Sequence, residues 1–282
     1  MLSNRRSTSL YFTKVLALPG RQAIVAGHLV SEKDEPTATI VLRIVGDKWN
    51  LVGKIPDIVY SIALDSTNRP GGPCFGVLGR EGYFGVFGAG VAELTDPIIR
   101  GHPAYLEGLV CTEGVFFACG AQRQVVCRSM NGWSRVDQDL YVPFDECPAG
   151  FLFGISARSP NELFVCGSEG FAANWNGRVW SKIEIPTNLD LNSVFCASNG
   201  ETYFSGAGGV IFALRVDGRI DNLSDSAISN NSLFDICEFK QDVYVAAGDQ
   251  LLRLSDGQLE SVLVPRSPNG EVAWVYSVSA EE

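Results

Sequence analysis

The chain has 282 residues, with 22 Lys and Arg against 32 Asp and Glu, for a net charge of −10. Hydrophobic residues make up 46% and charged residues 19%, a globular rather than a disordered composition. The acidic balance argues against a nucleic-acid binder, whose phosphate contacts need clustered Lys and Arg, and 2 histidines leave little room for His-rich metal sites.

At the N-terminus Arg5 and Arg6 are followed by Lys14 and Pro19, so no secretory apolar stretch forms. Nowhere does an apolar run reach the roughly 18–20 residues of a membrane span. The sequence therefore reads as a cytoplasmic protein without a membrane segment. Short β-rich runs then end in a small residue and a glycine at Gly27, Gly79, Gly120, Gly167, Gly206 and Gly248. Their spacings are 52, 41, 47, 39 and 42 residues, the range of propeller blades. After most of these glycines a polar turn leads into another apolar run: Asp47-Lys48-Trp49, Asn131-Gly132-Trp133, Asn176-Gly177, Asp217-Gly218 and Asp256-Gly257. Asn-Gly and Asp-Gly between apolar runs favour hairpins, because both residues tolerate positive φ. The second copy, Ala89-Gly90-Val91, is degenerate.

Upstream of each glycine lies a further strand, as in Phe151 to Ala157 before Leu163 to Gly167. A unit thus reads strand, turn, strand-Gly, strand, turn, strand: a four-stranded antiparallel blade. The expected fold is all-β, a single β-propeller over residues 1–282 with units at about 9–55, 58–98, 104–142, 149–186, 190–223 and 231–264. Beyond them Tyr276 to Ala280 echoes Phe153 to Ala157. If that C-terminal strand completes the blade begun at the N-terminus, six blades close the ring and two sheet edges are hidden; a seventh blade is the alternative.

The 8 cysteines include no C-x-x-C pair, so a zinc site is not expected. Cys111, Cys196 and Cys237 stand with Ala157 near the ends of first strands, where crowding around the axis favours small residues. They read as core thiols. His28 and His102 have no G-x-S-x-G nucleophile to serve. Ser205 to Gly209 lacks the Gly-Lys-Ser/Thr ending of a phosphate loop. No cofactor and no metal are expected.

The units, typified by Phe153 to Trp180, resemble degenerate bacterial propellers with sialidase-type and photosystem-assembly-factor repeats. The sialidase Asp-box is not intact, since Trp175 stands two residues before Gly177. The resemblance implies the fold and leaves function to the surface. Two loops carry the candidate partner site. One holds Asp137, Asp139, Leu140, Tyr141, Phe144, Asp145 and Glu146, apolar anchors flanked by charge; the other is the acidic tip with Glu32, Asp34 and Glu35. The expected function is non-catalytic: a monomeric protein that binds a protein partner, most concretely an immunity protein facing a basic toxin. A sialidase- or lyase-like enzyme and an assembly scaffold are the alternatives.

Overall fold

The structure, a computed structural model, describes residues 8–31, 38–67, 71–88, 90–95, 98, 105–129, 132–147, 149–264, 266, 270 and 274–280. It is a β-propeller of six four-stranded antiparallel blades, each built from consecutive strands. Blade 1 contains β1 (Thr8–Leu18), β2 (Gln22–Ser31), β3 (Thr39–Val45) and β4 (Lys48–Ile55). Blade 2 contains β5 (Val59–Asp65), β6 (Cys74–Gly79), β7 (Phe84–Gly88) and β8 (Val91–Thr95). Blade 3 contains β9 (Leu106–Thr112), β10 (Val115–Gly120), β11 (Val125–Ser129) and β12 (Gly132–Arg135). Blade 4 follows with β13 (Leu152–Ser159), β14 (Glu162–Gly167), β15 (Ala172–Trp175) and β16 (Trp180–Lys182). Blade 5 has β17 (Leu191–Cys196), β18 (Thr202–Gly206), β19 (Ile211–Leu214) and β20 (Ile220–Asn222). Blade 6 has β21 (Asp235–Phe239), β22 (Asp242–Ala246), β23 (Leu251–Ser255) and β24 (Gln258–Leu263).

The repeat glycines have a steric origin. Gly120, Gly167 and Gly206 end the second strands of their blades, where a methyl group would overlap the backbone carbonyl of Tyr105, Phe151 and Asp190 respectively. Those carbonyls immediately precede the inner strands, so glycine lets the second strand close against the entrance of the first. At Gly79 the Asp57 carboxylate takes that space. It accepts the Ile58 and Glu81 amides at 2.7 and 2.8 Å.

Side chains of neighbouring blades interdigitate in apolar clusters. One joins blades 1 and 2 around Ile24, Val41 and Phe75, and another joins blades 2 and 3 around Phe84, Leu78 and Phe116. Blades 3 and 4 share Val125, Leu163 and Trp180, blades 4 and 5 share Phe164, Phe204 and Phe212, and blades 5 and 6 share Ile211, Leu233 and Val245. Cys119 and Cys166 are wholly buried within this framework, and burial pushes both thiols up. All eight cysteines are free, and Cys111, Cys196 and Cys237 sit on inner strands.

The sixth junction is different. Blade 1 takes all four of its strands from residues 8–55 rather than borrowing one from residues 272–280. Between blades 6 and 1 no apolar cluster forms among the described residues; instead residues 274–280 lie between β21 and β1. Val275 exchanges backbone hydrogen bonds with Gly248. The Ala17 amide donates to Ser279 Oγ at 2.9 Å, and Ser277 Oγ donates to Asp235 Oδ2 at 2.8 Å.

Candidate functional site

Inner strands run from one face of the ring to the other around a narrow axial cavity of about 290 Å³. At the end where they start, the cavity opens into a wider mouth of about 550 Å³. Its lining has one origin. In five blades the pairing of the first and second strands slips by one residue, at Thr13, Tyr60, Glu107, Phe153 and Asn192. A bulge of this kind re-aims one side chain without breaking the sheet. Phe234, one residue before β21, and Tyr276 complete the collar, and their rings meet edge-on at 5.0 Å between centroids. All seven residues line the mouth.

Polar groups on the inner strands hold neighbouring blades in register. Thr13 Oγ1 donates to the Val59 carbonyl, Ser61 Oγ accepts the Leu109 amide, Ser156 Oγ accepts the Cys196 amide, and Asn192 Nδ2 donates to the Leu233 carbonyl. Lys14 lies 3.8 Å from Asp235 across the sixth junction. Glu107 is the carboxylate of the collar. Burial pushes its pKa above the ordinary value of 4.5, against the opposing pull of Arg80 and Lys14. It forms no ion pair or hydrogen bond among the described residues. His28 also lines the mouth, stacked on Tyr11 at 6.3 Å, and burial holds its pKa below the usual value.

The Glu107 shift has a direction that can be tested. Folding disfavours its ionised form, so the residue subtracts stability as pH rises past 4.5, increasingly up to its folded-state pKa. Glu107→Gln is therefore expected to raise the urea midpoint at pH 7 and to leave it unchanged near pH 3, where both side chains are neutral. An unchanged midpoint at both pH values would show that the carboxylate is solvated.

The loops that follow outer strands, and those joining second to third strands, lie on the mouth face. Their exposed carboxylates include Glu81, Asp139, Asp145, Glu146, Glu169, Asp190 and Asp225, against the half-buried Arg80 and Arg123. Arg80 lies over the Tyr105 ring at 4.8 Å and Arg123 over Phe171 at 3.9 Å.

The loop expected to bind a partner, between β12 and β13, is on this face, but two of its residues face inward. Asp137 is 2% exposed, accepts the Val125 amide at 3.0 Å and pairs with Arg135 at 2.9 Å. Leu140 is 7% exposed and packs in the cluster of blades 3 and 4. Both anchor the loop, which corrects their assignment as partner-facing residues. Asp139, Tyr141, Phe144, Asp145 and Glu146 remain at the surface, with Phe144 62% exposed. Glu32, Asp34, Glu35 and His102 lie outside the described residues. The collar itself went unread in the sequence, although it carries a signal: Thr13, Phe153, Asn192 and Phe234 each stand 14 residues before their blade glycine, and Glu107 stands 13 before its own.

No group of three or more His, Cys, Asp or Glu that could hold a metal ion occurs among the described residues. No helix among them is long and apolar enough to cross a membrane.

No family model matches the chain. It is 30% identical over 161 residues to the immune protein Tsi7 of Pseudomonas aeruginosa. The match spans 56% of this chain and 51% of that protein, so the chain spans about half the length of the curated relative. In fold it is similar to virginiamycin B lyase from Staphylococcus aureus, with a TM-score of 0.72 and 12% identity over 93% of this chain and 90% of that one. It is likewise similar to YCF48 bound to a D1 peptide, with a TM-score of 0.64 and 15% identity over 92% and 84% of the two chains. At these identities the structural likeness speaks to the propeller alone.

Proposed function

We propose that this chain is a cytoplasmic, monomeric immunity protein that neutralises a toxin by seating it on the mouth face, without chemistry of its own. The observation that carries the reading is the make-up of that face: aromatic rings converge on the axis while the exposed loops around it are predominantly acidic. Phe144 and Tyr141 supply apolar anchors of the kind that dominate interface energetics. Asp139, Asp145 and Glu146 beside them supply a field that attracts and orients a basic partner. Within the mouth, aromatic faces around Glu107 suit a partner's Lys or Arg side chain, which gains both cation–π and carboxylate contacts. The likeness to an immune protein supports the same reading.

The test is co-purification of the tagged chain from its native host, followed by association kinetics with the captured protein. A single basic effector whose toxicity is relieved by co-expression of this chain supports the reading. A stable multi-subunit assembly would favour the scaffold alternative and overturn it. For the effector, the double reversal Asp145→Lys with Glu146→Lys is expected to slow association about tenfold at low salt. The difference should shrink as ionic strength shortens the Debye length to about 3 Å at 1 M. Association unaffected by both salt and reversal would sink the electrostatic part of the proposal.

A further inference from the structure

The sixth junction has the geometry of a blade that is begun and not finished. Val275 bonds Gly248 as a residue at the head of an inner strand bonds the preceding blade, and Tyr276 enters the collar beside Phe234. Val275 directs its N–H and C=O outward, to Gly248, whereas the Val278 N–H turns inward to Asp235 Oδ2 at 3.2 Å. The alternation of an extended chain then points the backbone groups of Ser277 and Ser279 outward like those of Val275. In all six blades the corresponding edge pairs antiparallel with a second strand. Here, among the described residues, the Ser277 and Ser279 backbone groups have no such partner. They face a groove of about 760 Å³ that runs outward between blades 6 and 1.

The walls of this groove are half-buried apolar side chains: Val15 and Ala17 on blade 1, and Cys237, Phe239, Tyr244 and Leu251 on blade 6. At the other junctions the equivalent faces pack against each other.

We infer that this groove is a docking site for an extended segment of a partner protein, which adds antiparallel to residues 275–280 as the missing second strand. Main-chain hydrogen bonds to Ser277 and Ser279 would give affinity, and the two apolar walls select a segment with apolar side chains on both faces. The site is separate from the acidic loops and does not depend on the mouth-face reading.

The probe is a fluorescein-labelled peptide of residues 161–170 of this chain, which contains β14, the second strand beside the inner strand that residues 276–280 echo. Saturable binding by anisotropy is expected, weakened tenfold or more by Ala17→Arg or Leu251→Arg and unaffected by Asp145→Lys with Glu146→Lys. Amide exchange provides a readout without variants: Ser277 and Ser279 should exchange rapidly in the free protein and become protected with peptide. No binding at millimolar peptide overturns the proposal. So does protection of both amides in the free monomer, which would mean that the chain fills its own groove. Protection that appears only with a concentration-dependent doubling of mass would assign the groove to a second copy and overturn it as well.

Discussion

Replacing Phe84 with Ala is expected to lower the free energy of unfolding by about 3–5 kcal/mol, the range for deleting a buried aromatic side chain. Phe84 is fully buried on β7 and reaches across to blade 3. Its ring meets Phe116 at 5.2 Å and Trp133 at 5.0 Å, both edge-on, and the Arg128 guanidinium lies 4.9 Å from its centroid. Three groups from one blade thus depend on one ring of the next, and all belong to sheet strands that cannot move independently to fill the space. Urea unfolding followed by tryptophan fluorescence checks this directly, since Trp133 reports the same junction. A loss below about 1 kcal/mol would show that the junction collapses onto the cavity, contrary to the rigid-core argument.

The second large effect is expected at Gly167, where Ala should cost at least 2 kcal/mol by the same measurement, toward the upper part of the overpacking range of about 1–3 kcal/mol. Its φ of −172° is extended backbone that any residue adopts, so the cost is steric rather than conformational. The added methyl would overlap the Phe151 carbonyl, an oxygen already committed to the Ser168 amide at 3.0 Å. Neither a rotamer change nor a small side-chain shift relieves that contact; the entrance of the inner strand must move. Gly120→Ala and Gly206→Ala should behave alike because their methyls meet Tyr105 and Asp190 carbonyls in the same place. Unfolding energies within 0.5 kcal/mol of the parent would exclude this account of the repeat.

These glycines explain how much of the fold was legible. A backbone contact repeated in every blade permits only one residue type, so the sequence displays it at intervals of roughly forty residues. The hairpin dipeptides and the small residues Cys111, Cys196 and Cys237 on inner strands were legible for similar local reasons. The collar was not. A bulge shifts the alternation of apolar and polar residues by one, so Tyr60, Glu107 and Phe153 do not stand out as a class although they occupy one ring of space. The loop after β12 misled in the opposite direction. Asp137 and Leu140 look like surface residues among charges, yet the carboxylate is spent on the Val125 amide and Arg135, and the leucine plugs a blade junction. Burial of a satisfied carboxylate depends on partners that local composition does not reveal.

The ordering of strands within the sheets also bears on how the protein is made. Because each sheet consists of four consecutive strands, every blade is complete once its own residues have been synthesised, and none must wait with an open edge for a distant segment. Most pairings are local hairpins, which favours rapid assembly. Five junctions can therefore seal progressively behind the ribosome. The last one depends on residues 274–280 finding their place beside Asp235 and Ala17, after everything else is built. Growth is vectorial, and closure is a single late event at a known position.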